Sequence, residues 1–292
     1  MDSTINWYPS PAKLNLFLHI NGRYDNGYHQ LQSLFQLLDV GDEIGICANQ
    51  SGKIELKTPI QGVAYEDNLI VKAAKALKVH AHGQVGCELY VRKKLPMGGG
   101  IGGGSSNAAS VLMLLNQAWQ CNLSLDALAE IGLALGADVP IFIHGNTAFA
   151  EGVGEVLVPV TIPTVWYLVA TPPIHVSTRD IFTAIDLPRN TPKINFADYK
   201  FEETHNDCET LVAKMHKEVA NLLQWLVNYA PSRMTGTGAS VFAVFDAKEN
   251  AEKVLNMLPD SYTAFIAKGV NRSGLHEAMG IESHSERLIL TS

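Results

Sequence analysis

The chain has 292 residues, 47% of them apolar and 17% charged, and a formal net charge of −7. That length accommodates two domains or one large one with a sizeable core. An acidic balance argues against a nucleic-acid polymer or an anionic membrane as the main partner, so local basic groups must hold any anionic substrate.

From Trp7 to Ile20 the residues alternate as in a strand, with Leu14, Leu16 and Leu18 to one side. Lys13 and Asn15 share the opposite face, either as a solvated surface or as the wall of a site. Asn21 to His29 is polar and turn-rich and ends in Tyr28 and His29. Two planar side chains leaving a turn either stack on a base or anchor the loop. Asp42–Ala48 and Lys53–Thr58 read as paired strands around a turn at 49–52. Asp67-Asn68 opens a helix through Ala76, and Gly86–Lys93 reads as a strand feeding a glycine-rich loop.

Pro96 to Ala109 is the most informative stretch, with six glycines in the seven positions 98–104, then Ser105-Ser106-Asn107. Glycine admits positive φ and lets backbone N–H groups approach a ligand. The Ser-Ser-Asn step is expected to cap a helix whose stripe is Val111, Leu112, Leu115, Ala118 and Trp119. A capped N-terminus with unpaired N–H donors suits a phosphate, and a mere linker would not end in one. No lysine stands between Gly98 and Ser106, so the loop is not a Walker A motif. Gly98-x-Gly100-x-x-Gly103 fits the dinucleotide pattern, but Lys93-Lys94-Leu95-Pro96 separates it from its strand and no ribose-binding acid is placed after it.

Ser124 is expected to cap a second helix carrying Leu125, Leu128, Ile131 and Leu135, closed by Gly136 in left-handed conformation. Asp138 comes at once after it and by itself reads as a turn residue. Strands are expected at 147–150, 155–160 and 166–171, with a boundary near residue 160. A short helix spans 176–185 behind Ser177-Thr178. Asn206 and Glu209 look like a capping pair for one long helix carrying Leu211, Met215, Val219, Leu222 and Leu226. Thr235 to Ser240 is a second glycine turn before a strand at 241–245, then a helix at 251–258 and a strand at 263–268. The cysteines, Cys47, Cys87, Cys121 and Cys208, form no C-x-x-C pair and read as reduced thiols. His80-Ala81-His82 has no companion ligands and reads as a solvated turn. Asp2 and the short apolar run 14–20 do not make a signal peptide, and a cytoplasmic, non-membrane protein is expected.

An N-terminal strand with a polar face, a Pro-x-Gly-rich-Ser-Ser loop at a helix start, and a late Gly-x-Gly turn before a strand resemble the GHMP kinase superfamily. Pro11 to Leu16, Gly27-Tyr28-His29, Pro96 to Ala109, Ala137 to Pro140, Leu187 to Pro192 and Gly236 to Ala239 carry the resemblance nearly end to end. Ile101, where the loop usually has leucine, is a departure of similar volume. The resemblance implies an α+β protein of two lobes. Residues 1–160 would form an ATP-binding lobe like ribosomal protein S5 domain 2, and 161–292 a ferredoxin-like, substrate-side lobe. It is nearest to the members that move the γ-phosphoryl of ATP to the 2-hydroxyl of 4-CDP-2-C-methyl-D-erythritol, in the non-mevalonate route to isoprenoids.

By the same resemblance, Pro96, Met97, Gly98, Gly99, Gly100, Ile101, Gly102, Gly103, Gly104, Ser105 and Ser106 would wrap the ATP phosphates, with Asn68 and Lys93 near the nucleotide. Asp138 would accept the hydroxyl proton, and Lys13 would steady developing charge and keep that carboxylate ionised. Asn15, Tyr28, His29, Thr178 and Phe182 would join them in holding the substrate. Mg²⁺ would be held mainly by ATP phosphates, with no dedicated protein metal site. A monomer or weak homodimer is expected, without nucleic-acid or membrane partners. The readings left beside it are a kinase for another small alcohol, a dinucleotide oxidoreductase and an inactive nucleotide-binding protein.

Overall fold

The structure is a computed structural model that describes residues 5–282 and 288–289. Its organising element is a long antiparallel hairpin of β1 (Trp7–Arg23) and β2 (His29–Asn49), paired from Arg23 opposite His29 to Trp7 opposite Gly45. One edge of β2 is taken by β1, and the other serves three further strands. The first half of β2 is buried on both faces from Gln32 to Leu38, so its sequence carries no two-residue alternation to betray a strand. The expected hairpin of 42–48 with 53–58 does not form. β3 (Ile54–Leu56) lies parallel to β4 (Gly86–Arg92), and β4 is the strand that pairs with β2, from Glu43 to Asn49.

α1 (Leu69–Lys78), α2 (Gly103–Ala118), α3 (Leu125–Leu135) and α4 (Val139–His144) form a layer on this sheet. They share one core with Phe35, Leu37, Ile44, Leu89 and Val91. α2 is buried all round from Ser106 to Leu115, beyond the single expected stripe, while Ala118 is exposed. β5 (Ala148–Glu151) joins β2 at Ser33–Phe35, and β6 (Val156–Thr161) joins β5.

The second half runs β7 (Trp166–Thr171), α5 (Thr178–Thr183), α6 (Glu209–Met215), α7 (Lys217–Leu226), β8 (Ser232–Met234), β9 (Val241–Phe245), α8 (Lys248–Leu255), β10 (Thr263–Val270), α9 (Gly274–Ala278) and β11 (Leu288–Ile289). Its antiparallel strands lie in the order β10-β7-β9-β8. With α6/α7 and α8 as the connections, this is the β-α-β-β-α-β arrangement of a ferredoxin-like unit. β10 also pairs with β2 at Leu37 and Leu38, so the sheets of the two halves are continuous. A shared core of Leu14, Phe17, Leu34, Tyr167 and Phe242 joins them.

Several local expectations are corrected. α2 is capped by the backbone of Gly102, without a side-chain bond, and Ser105, Ser106 and Asn107 lie inside the helix. Gly136 ends α3 with φ 174°, an extended conformation and not a left-handed one. The long helix breaks at His216 into α6 and α7, leaving Met215 exposed. Asn206 and Glu209 do not cap one another: the Glu209 carboxylate accepts from Met234 N at 2.7 Å, and Asn206 Oδ1 from Cys208 N at 2.9 Å. Ser124 does cap α3, accepting from Ala127 N. Burial pushes the Cys87 and Cys208 thiols up to about 12, which keeps them protonated and unreactive.

Candidate active site

The glycine loop is fixed from below by a carboxylate that sequence reasoning missed. Asp42, fully buried on β2, pairs with the Lys93 ammonium just beyond β4. It also accepts from the N–H groups of Lys94 (2.8 Å) and Leu95 (2.9 Å) and from Asn107 Nδ2 (3.0 Å). Ser10 Oγ donates to Asn107 Oδ1 at 2.7 Å and lies 2.9 Å from Ser106 Oγ. One satisfied polar network thus ties β1, the end of β4 and the start of α2, and such a network rigidifies what it joins.

Between these anchors the backbone is left-handed at Gly98, Gly100 and Gly102. At Gly100 the reason is close packing, since a Cβ would sit 2.5 Å from the Thr235 carbonyl oxygen. The second glycine turn leans on the first, with Ser240 N donating to Gly99 O at 3.1 Å. Pro96 to Ser105, with Asn68 and Lys93, wall a cavity of about 400 Å³. Ser106 does not reach it, and the Ile101 side chain is turned into the core. Asn68 Oδ1 caps α1 by accepting from Ile70 N at 3.1 Å. Its buried Nδ2 finds no acceptor among the described residues.

A second cavity, of about 690 Å³, lies beside the first. Strand alternation sends Lys13 and Asn15 to its wall, where Lys13 Nζ donates to Asn15 Oδ1 at 2.6 Å and meets Asp138 Oδ2 at 3.0 Å. Lys13 is only 2% exposed and its ammonium lies 5.0 Å from the Phe35 ring centroid. Asn15 is locked in turn by donating from Nδ2 to Ser33 Oγ at 2.8 Å. Asp138 stands at the N-cap position of α4 yet makes no side-chain cap bond. A turn residue would spend its carboxylate on the following N–H groups; this one faces the lysine.

At the far end, the His29 and Phe182 rings meet with centroids 5.1 Å apart and planes tilted by 31°, and Tyr28 is 64% exposed at the rim. Thr178 Oγ1 lies 2.9 Å from Thr237 Oγ1 of the second glycine turn. Arg189, which sequence reasoning assigned no role, donates from Nε to His29 Nε2 at 3.0 Å. Burial first, and then the Arg189 and Arg23 guanidiniums, lower the His29 pKa below its ordinary value. The structure therefore brings Lys13, Asn15, Tyr28, His29, Asp138, Thr178 and Phe182 to the wall of one cavity. Asn68, Lys93 and the loop line the other.

No helix among the described residues is long and apolar enough to cross a membrane. Residues 68–146 match the GHMP kinases N terminal domain and residues 193–264 the GHMP kinases C terminal domain. A protein of Pseudoalteromonas atlantica described as 4-diphosphocytidyl-2-C-methyl-D-erythritol kinase is 62% identical over 279 residues, 96% of this chain and 98% of that one. One of the same description from Shewanella loihica is 54% identical over 269 residues, 92% and 95% of the two chains. A crystal structure of 4-(cytidine 5'-diphospho)-2C-methyl-D-erythritol kinase superimposes with a TM-score of 0.80 at 27% identity, covering 90% of this chain and 99% of that one. The mevalonate kinase of Methanococcus jannaschii, 15% identical with a TM-score of 0.64 over 93% and 100% of the chains, shares the fold. The two glycine turns and the Lys13–Asp138 pair thus belong to a GHMP kinase, and the chain is a member of the 4-diphosphocytidyl-2-C-methyl-D-erythritol kinase family.

Proposed function

We propose that the protein transfers the γ-phosphoryl group of ATP to the 2-hydroxyl of 4-CDP-2-C-methyl-D-erythritol, giving the 2-phosphate and ADP for isoprenoid precursor synthesis. The observation that carries this reading is the shared wall of the two cavities. Gly100, Gly102 and Ser105 line both, so a triphosphate on the loop points its terminal group at a hydroxyl held by Lys13 and Asp138. Residues 1–160 then supply the nucleotide side and most of the acceptor wall, and the second half closes the acceptor cavity with Thr178, Phe182, Gly236 and Thr237.

Phosphoryl transfer is mostly positioning and charge stabilisation along an in-line path. Asp138 orients the 2-hydroxyl and accepts its proton as the O–P bond forms. Lys13 holds that carboxylate in place and faces the charge developing on the transferred group. The carboxylates on the two cavity walls are Asp138 on one and Asp67 on the other, too few for a protein cage around a cation. Mg²⁺ would be held mainly by ATP phosphate oxygens, where it neutralises charge. The free Asn68 Nδ2 donor awaits an acceptor on the nucleotide. Asn68→Asp keeps the helix cap but removes the donor. It is expected to raise the KM for ATP about ten-fold at unchanged thermal stability, and an ATP titration beside a melting curve checks both.

The cytidine assignment rests on the Tyr28, His29 and Phe182 end of the cavity. Stacking does not tell cytosine from uracil; polar groups at the ring edge do, because the two bases reverse donor and acceptor there. Each mismatched buried group costs about 1–3 kcal/mol. An ADP-release assay is therefore expected to favour the CDP compound over its UDP analogue by on the order of 10²-fold or more in kcat/KM. Equal values, or efficient use of the free alcohol, would return the chain to a kinase of another small alcohol.

A further inference from the structure

Arg189 sits in the loop after α5, and its five N–H donors are almost all spoken for. Nη2 donates to Ala184 O at 2.6 Å and Phe182 O at 3.3 Å, and Nη1 to Leu187 O at 3.0 Å and Ile185 O at 3.4 Å. These bonds close the C-terminal end of α5, the short helix that carries Phe182. The remaining direction, Nε–H, points at His29 Nε2, 3.0 Å away. A guanidinium has no acceptor and does not lose its proton. In that contact His29 Nε2 must therefore be the unprotonated nitrogen, and a neutral imidazole must carry its proton on Nδ1.

Among the described residues nothing hydrogen-bonds His29 Nδ1, although the ring is 8% exposed and lines the larger cavity. We propose that Arg189 is a positioning residue for the acceptor substrate: it fixes His29 as the Nδ1–H tautomer and so presents the cavity with one oriented donor for an acceptor atom of the pyrimidine ring. The same guanidinium holds the carbonyl end of α5, so ring and edge are set together, with Phe182 in tilted contact with the imidazole. Burial and the two neighbouring guanidiniums, Arg189 and Arg23, disfavour the imidazolium, which keeps the donor count at one. The substrate side of this inference rests on the proposed cytidine reading; the tautomer does not.

Nitrogen NMR of the full-length free protein reads the tautomer directly. His29 is expected to show an unprotonated Nε2 and a protonated Nδ1, and Arg189→Met to lose that order. In turnover, Arg189→Met is expected to raise the KM for the CDP substrate about ten-fold, the loss of one oriented hydrogen bond. Its kcat at saturation and its KM for ATP should stay within about two-fold of wild type, because the glycine loop is elsewhere. Arg189→Lys, which keeps a donor near Nε2, is expected to recover part of the loss. A wild-type His29 protonated at Nε2 overturns the inference whether or not the variant folds. An Arg189→Met enzyme with unchanged KM for the CDP substrate overturns it too, as does one whose ATP and CDP affinities fall together with its thermal stability. If wild type failed to use the CDP substrate at all, the cytidine reading would fall while the tautomer measurement still stood by itself.

Discussion

Asp138→Asn is expected to lower kcat by roughly 10²- to 10⁴-fold, the range for losing a general base, with ATP and acceptor affinities little changed. The asparagine keeps the shape of the side chain and can still accept from the Lys13 ammonium, now 3.0 Å from Asp138 Oδ2, but it cannot take the proton of the 2-hydroxyl. Lys13→Met removes the partner. Methionine fills the buried channel beside Phe35, so the fold should hold, while kcat falls by on the order of 10²-fold or more for want of a charge facing the transferred group. The double variant should be little worse than the poorer single one, because residues acting as a unit are strongly non-additive. Rapid-quench single turnovers isolate the chemical step. A kcat for Asp138→Asn within about three-fold of wild type would return that residue to a mere turn-former.

Much of this site was legible in the sequence, and what was missed has a physical reason. Lys13 and Asn15 were placed together by strand period alone, and the structure puts their side chains in direct contact. The glycine run identified a close approach of backbone, though its positive φ falls on Gly98, Gly100 and Gly102 and not on Gly103. Asp138 looked like a turn residue because its lysine partner stands on a strand 125 positions away in sequence (138 − 13 = 125).

Asp42 and Arg189 were silent for the same cause. One acid among three in the segment 39–43 and a lone arginine in a proline-flanked loop carry no local period, and each has a partner far off in the chain. The first half of β2 hid its strand character under burial on both faces. The capping expectations failed where tertiary bonds outbid local ones: Glu209 serves Met234, and Ser106 is bonded to Ser10 inside the helix.

Gly102→Ala is expected to damage both halves of the reaction at once. Gly102 has φ +75°, a left-handed conformation that costs an L-residue about 1–2 kcal/mol. The added Cβ would lie 2.7 Å from Phe142 Cζ and 3.1 Å from Lys13 Cγ. Phe142 is 1% exposed in the helical core and has nowhere to go, so the strain falls on Lys13 and on the first turn of α2. That turn begins at Gly102, whose carbonyl accepts from Ser106 N at 2.8 Å. The KM for ATP should rise, kcat should fall with the displaced ammonium, and kcat/KM should drop by on the order of 10³-fold for a misplacement of this kind.

Gly103 is the control one residue on. Its φ is not left-handed, and a Cβ there meets Leu95 Cδ1 at 3.3 Å and Lys93 Nζ at 3.5 Å, a tight but yielding contact inside a helix that prefers alanine to glycine. Gly103→Ala should therefore melt no lower than wild type. Gly103→Val, whose branches enter the cavity beside Lys93, should lose ATP binding with the fold intact. Calorimetric ATP titrations and melting curves on the three variants separate backbone strain from filled space. ATP binding by Gly102→Ala within a few-fold of wild type, at wild-type kcat, would show that the loop does not hold the phosphates against Lys13.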